Sequence, residues 1–229
     1  MKTIGLIGGM SWESSSEYYR ILNEEIKVRL GGLHSAKCVL LSVDFEEIEI
    51  CQRNNEWEKA ARILTNAAHS LEASGADFII ICTNTMHKVA DEIRAGIHIP
   101  LLHIADVTAQ ELISNGINVV GLLGTRYTME QDFYKSRLEA QGINVLIPQE
   151  TDREIINDVI FNELCLGYLL EDSRVNYKRI IQDLIEQGAK GIVLGCTEIG
   201  LLVKPEDSTV PLFDTTELHA KEAVNFALR

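Results

Sequence analysis

Two stretches of this 229-residue chain carry reactive side chains at matching places. "GADFIIICTNT" (75–85) and "GAKGIVLGCTEIG" (188–200) align without a gap, with Gly75-Ala76 on Gly188-Ala189, Ile79 to Ile81 on Ile192 to Leu194, and Thr83 on Cys196. Each reads as an apolar strand that runs into a turn at the mouth of a helix, where unpaired backbone N–H groups and the positive end of the helix dipole gather. A thiol held there is expected to ionise below its usual value of about 8.5, which makes a Cys196 thiolate accessible near neutral pH. Thr83 brings a hydroxyl, which can hand over a proton but is far too weak an acid to rest as an alkoxide. The pair therefore offers a base in one copy and a proton donor in the other. Cys82, one residue from Thr83, points to the opposite side of an extended strand and is expected to pack. Cys38, Cys51 and Cys165 read as inert thiols. Five cysteines without a CxxC pair favour neither a disulfide framework nor a zinc knuckle.

The elements that must position these groups also occur twice. "TIGLIGG" (3–9) matches "VVGLLGT" (119–125), "EYY" at Glu17 matches "DFY" at Asp132, and "IPLL" at Ile99 matches "VPLF" at Val210, in the same order and at offsets near half the chain length. A tandem repeat of one α/β unit accounts for all of these. In the first copy, strands are expected at 3–7, 38–43, 78–82 and 101–102, with helices near 14–30, 56–74 and 85–95. In the second, strands are expected at 118–123, 144–147, 191–195 and 212–213, with helices near 130–140, 152–163 and 175–187 and a short one after Cys196. Short continuous apolar strands alternating with helices mean parallel sheets covered on both faces. The expected architecture is thus two pseudosymmetric α/β domains, each with a mostly parallel four-stranded sheet, comprising residues 1–105 plus 215–229 and residues 106–214. Segments 106–115 and 215–229 are the expected crossovers, and the sequence leaves open which copy each packs on. A ligand would sit between the copies, at the carboxyl ends of the strands.

Composition narrows the function. With 46% hydrophobic and 24% charged residues the chain has enough apolar material for a sizeable core. A net charge of −13 disfavours nucleic acid and anionic membrane surfaces, which need clustered Lys and Arg. The apolar stretch at the N-terminus is too short for a secretory signal or a membrane span, so a cytoplasmic location is expected. "GLIGGM" lacks the GxGxxG spacing of a dinucleotide site, and no P-loop lysine follows. His87, His103 and His219 are isolated in sequence, and no metal-ligand spacing appears. "GGMSWES" (8–14), "CTNTMHK" (82–88), "GTRYTM" (124–129) and "GCTEIG" (195–200) should form the site, with Ser11, Thr85, Thr125 and Thr197 equally readable as helix caps.

With "IGLIGGMSWES", "CTNTMHK" and "GCTEIGLL" in hand, and with the duplication, the whole chain resembles the aspartate/glutamate racemase family. The resemblance implies that two acid/base residues, one from each α/β domain, face the substrate α-carbon from opposite sides without a cofactor or metal. It selects Thr83 and Cys196 as those residues, although the family's first catalytic position is usually cysteine. It further implies substrate contacts from Met10, Gln52, Asn84, Thr85, Thr125, Thr197 and Glu198, with Glu198 available to the ammonium group. Arg53 and Arg126 are candidates for a second carboxylate. The Thr/Cys combination resembles members that prefer the L-enantiomers of aspartate and glutamate, and the family leads one to expect a homodimer.

Other reactions remain open at this stage. A broad-specificity racemase, or a decarboxylase or isomerase that uses a single cysteine, would place a thiol in the same loop. A two-lobed protein that senses an acidic amino acid without turning it over is the non-enzymatic alternative.

Overall fold

The computed structural model describes all residues from Met1 to Arg229. Its elements follow in the order β1 (Ile4–Gly8), α1 (Trp12–Leu30), β2 (Cys38–Ser42), α2 (Phe45–Arg53), α3 (Trp57–Ala73), β3 (Phe78–Ile81), α4 (Ala90–Gly96) and α5 (Ile104–Ser114). Then come β4 (Val119–Gly124), α6 (Arg126–Glu130), α7 (Asp132–Glu139), β5 (Asn144–Leu146), α8 (Glu150–Asn162), α9 (Glu171–Glu186), β6 (Gly191–Gly195), α10 (Ile199–Leu202), β7 (Leu212–Asp214) and α11 (Thr215–Leu228). Short 3-10 turns lie at Thr85–Val89, Leu164–Leu166 and Pro205–Asp207. No helix is long and apolar enough to cross a membrane.

The chain divides into two compact units, Met1–Ile104 with His219–Arg229, and Ala105–Leu218. Both are α/β units built on parallel sheets, of order β2-β1-β3 and β5-β4-β6-β7. The repeat holds at the level of strand register. Ile4 pairs with Phe78 and Ile7 with Ile81, and the residues equivalent to them in the repeat, Val120 with Gly191 and Leu123 with Leu194, pair in the same way. The expected fourth strand of the first copy is reduced to one bridge, Ile79 to Leu101, which corresponds to the Ile192–Leu212 pair that opens β7 in the second. The first copy is therefore three-stranded with a vestige of the fourth.

The crossover segments are helices, and each belongs with the other half of the sequence. In α11, Ala220, Ala223, Val224 and Ala227 recur at helical spacing and pack on Ile4, Leu6, Phe78, Ile80 and Cys82 of the first sheet, with Tyr18, Ile21, Leu22 and Ile26 of α1. Small side chains on that stripe let the helix approach the sheet closely. The opposite face of the sheet, Ile7, Ile79 and Ile81, is covered by α3 and α4 through Leu64, Ala68, Leu71 and Ile93. Helix α5 joins the second unit, where Tyr134 donates to Thr108 Oγ1 at 3.2 Å and Arg137 pairs with Asp106 at 3.1 Å. The main core of that unit joins Leu123, Ile192 and Leu194 to Ile156, Tyr177, Ile180, Ile181 and Leu184 of α8 and α9.

Three histidines that are distant in sequence meet in the first unit, so they are not isolated in space. The His87 ring lies 4.6 Å from His103 and 5.6 Å from His219. His219 donates from Nε2 to the Leu102 carbonyl at 3.0 Å, which leaves Nδ1 to accept from the Tyr18 hydroxyl at 2.8 Å. That arrangement requires the neutral ring, and burial lowers the His219 pKa to about 4. The unfolded chain takes up this proton near 6.5, so the stability tied to neutral His219 is complete above that pH and is lost as pH falls towards 4. Urea denaturation should show a loss of about 2–3 kcal/mol from this source between pH 7 and 4.5. The His219→Gln variant should lack that component; equal pH slopes for variant and wild type would contradict the assignment.

Candidate active site

In the first unit, two turns at the carboxyl ends of β1 and β3 carry most of the expected residues. The chain leaves β1 through Gly9, at φ 88°, where an added Cβ would stand 2.2 Å from the Val43 carbonyl oxygen, so only glycine fits. Ser11 then caps α1 by accepting from the Ser14 N–H at 3.2 Å, and Ser15 Oγ accepts from the Gly9 N–H at 2.7 Å. Ser14 Oγ donates to the Cys82 carbonyl at 2.7 Å, which ties this turn to the one after β3. Met10 is buried and packs in the core, and Gln52, on the helix α2 that the sequence pattern did not reveal, reaches Met86 Sδ at 3.0 Å.

The turn after β3 sorts its side chains sharply. Cys82, Asn84, Thr85, Met86 and His87 are buried, and Thr83 alone among residues 82–87 is partly exposed. Cys82 is wholly buried against α1 and α11, and burial pushes its thiol well above the ordinary range. It is a packing residue. The Thr83 carbonyl accepts from His87 Nδ1 at 2.8 Å, while His87 Nε2 accepts from the Ile104 N–H at 3.2 Å. The second bond fixes the tautomer that makes the first. Thr85 begins a 3-10 turn whose cap is Asn84, so it is not a helix cap.

The second unit repeats the pattern. Thr125, at the end of β4, caps α6 by accepting from the Thr128 N–H at 3.3 Å. Past β6, Thr197, Glu198 and Ile199 are buried, and Cys196 is the partly exposed residue, as Thr83 is in the equivalent turn. Gly195 stands where the first copy has Cys82, because an added Cβ would come within 2.8 Å of the Leu123 carbonyl oxygen. The Thr197 hydroxyl accepts from Thr216 Oγ1 at 3.0 Å, and Thr215 Oγ1 donates to the Leu194 carbonyl at 2.8 Å. Cys196 Sγ donates to Glu198 Oε2 at 3.0 Å.

The electrostatics of Cys196 run against expectation. A thiolate favoured by the turn's backbone dipoles was the sequence reading, and the backbone N–H of Glu198 does act in that direction. Burial of the sulfur and the neighbouring Glu198 carboxylate outweigh it and raise the Cys196 pKa well above its ordinary value, with a further contribution from Cys165. The resting group is the thiol. Sequence reasoning treated Glu198 only as a substrate contact; its position two residues beyond the cysteine, in a tight turn, was the signal that the two side chains meet.

Arg53 and Arg126 are engaged within their own helices, Arg53 with Glu49 at 3.2 Å and Arg126 with Glu130 at 3.3 Å. No group of three or more His, Cys, Asp or Glu side chains is arranged to hold a metal ion.

Two α/β units, each built on a parallel sheet with the same strand pairing and each with a turn that leaves a single Cys or Thr partly exposed, point to one class of protein, and sequence comparison agrees. Residues 7–223 match the family described as Asp/Glu/Hydantoin racemase, and the chain belongs to that family. A crystal structure of a proposed Asp/Glu racemase from Yersinia pestis is 57% identical, with a TM-score of 0.94 and full coverage of both chains. An aspartate racemase homologue from Pyrococcus horikoshii OT3 is 34% identical, with a TM-score of 0.87 and full coverage of both. Among curated proteins, the broad specificity amino-acid racemase RacX of Bacillus subtilis is 23% identical across 97% of this chain and 96% of its own length. The protein is an enzyme, an isomerase of the racemase class.

A structural role for Cys82 has a measurable consequence. Cys82→Ser places a hydroxyl in an apolar contact and should cost about 1–3 kcal/mol in urea denaturation, with the native structure otherwise kept. A variant as stable as the wild type would show that position 82 is not packed as described.

Proposed function

We propose that the enzyme racemises acidic amino acids, converting L-aspartate and L-glutamate to their D-forms by proton transfer at the α-carbon. Cys196, as thiolate, removes the α-proton and becomes a thiol, and the Thr83 hydroxyl returns a proton on the opposite face as it takes one up from water, so that no alkoxide rests; the Cys196 thiol then gives its proton back to solvent. The observation that carries this reading is the equivalence of the two residues. They occupy the same place in the repeat, after strands paired in the same register, and each is the side chain its buried turn leaves partly exposed. Inversion of a carbon centre by proton transfer needs two groups on opposite faces, and a duplicated unit supplies two matching positions.

The remaining contacts divide by chemistry. The Glu198 carboxylate, buried beside the sulfur, suits the substrate's ammonium. The hydroxyls of Thr85, Thr125 and Thr197, the amides of Gln52 and Asn84 and the turn at Met10 suit its carboxylates. The asymmetry of Thr and Cys leaves the equilibrium between the enantiomers untouched but makes solvent exchange of the two α-protons unequal. A thiolate abstracts a proton from the L-enantiomer, whereas removal of the D-enantiomer's proton would require Thr83 as the base.

Incubation in deuterated water tests this reading. Purified enzyme should place deuterium at the α-carbon of L-aspartate or L-glutamate, with much slower exchange of the D-enantiomers. Cys196→Ser should reduce exchange by at least about 100-fold, the usual worth of a positioned general base. Thr83→Cys should raise exchange of the D-enantiomers, since it supplies a competent base on that face. Absence of exchange with both L-amino acids would refute the proposal.

A further inference from the structure

The groups that act most strongly on the Cys196 sulfur are the acidic side chains of Glu198 and Cys165. Glu198 Oε2 lies 3.0 Å away, and Cys165, at the turn after α8, also disfavours a charge on the sulfur. The Tyr177 hydroxyl of α9 is in the same electrostatic neighbourhood and donates to the Ile156 carbonyl at 3.3 Å, while Glu163 is engaged by Ser173 Oγ at 2.6 Å. Glu198 itself is 4% exposed. A carboxylate so placed accepts the thiol's hydrogen bond and opposes a second negative charge on sulfur. An enzyme whose base is held neutral must have a means to release it.

We propose that Glu198 holds Cys196 as a thiol while the site is empty, and that pairing of Glu198 with the substrate's α-ammonium releases the thiolate. This rests on the racemase reading above and deepens it, since it makes the cation that Glu198 binds the trigger for the base. Before binding, the pair is Cys–SH with a carboxylate. As the ammonium compensates that carboxylate, the S–H bond breaks, its proton passes to water, and the electron pair stays on sulfur. The thiolate then takes the α-proton: the Cα–H bond breaks, a new S–H bond forms, and the electron pair remains on the α-carbon. Compounds without an ammonium group leave the thiol protonated. The base is therefore armed only when an amino acid is present, which also shields a reactive sulfur from alkylation and oxidation between turnovers.

Thiolate absorbance near 240 nm, titrated against pH with Cys196→Ser as the blank, reads the state of this sulfur without turnover. The midpoint for Glu198→Gln should fall by about one pH unit or more relative to wild type, while Glu198→Asp, which retains the charge, should stay close to wild type. The wild-type enzyme provides a second measurement that does not depend on any variant folding. L-Aspartate should lower the midpoint, and succinate, the same dicarboxylate without the ammonium, should not. Equal midpoints for wild type and Glu198→Gln, together with like effects of aspartate and succinate, would overturn the proposal. Failure of the racemase reading would look different: the midpoints would still separate, with no α-deuterium entering either L-amino acid.

Discussion

The structure depends on a constraint of parallel sheets: every strand delivers its carboxyl end to the same edge, and the next residue must turn towards a helix. At β3 and β6 that turn buries each neighbouring side chain and leaves one position partly exposed. Register decides which residue takes it, because a slip by one along β3 would exchange Thr83 for Cys82. The matching pairs Ile7–Ile81 and Leu123–Leu194 show that both copies hold the same register. Two cores that share few residue identities thus present their reactive groups at one structural address.

What occupies that address differs, and the surroundings differ with it. Thr83 sits on a turn whose carbonyl accepts from His87 Nδ1, and the His87 ring lies beside buried His219, which stays neutral down to about pH 4. Cys196 sits beside a buried carboxylate that opposes its ionisation. The Thr83 turn is therefore held by an uncharged partner, whereas in the proposed reaction Cys196 is poised against a charge that a cationic substrate would compensate. Burial and the carboxylate decide the resting state of the sulfur, because the turn's dipoles act on it only weakly by comparison.

Much of this was legible from residue order. Apolar runs ending in glycine mark the strands, and the internal repeat pairs Thr83 with Cys196. Helix α2 was not legible, since "FEEIEICQR" is short and rich in glutamate, and Gln52 could be placed only by resemblance. The reduced fourth strand of the first copy was hidden because "IPLL" and "VPLF" look alike while forming one bridge and one strand. The histidine cluster joins residues more than a hundred positions apart, and no local pattern encodes that. The raised pKa of Cys196 is hidden for a related reason: the sequence shows a helix mouth, whereas the packing of Cys196 against the core of α8 and α9 and the nearness of Glu198 are set by tertiary structure.

The account stands on Cys196 and Thr83 serving one substrate atom from two sides. The most direct measurement is a crystal structure of the Cys196→Ser variant with L-aspartate bound. The account predicts the α-carbon between the side chains at positions 196 and 83, each within about 3.5 Å and on opposite faces, with the ammonium on Glu198. An α-carbon in contact with only one of the two side chains, or with both on the same face, would contradict it.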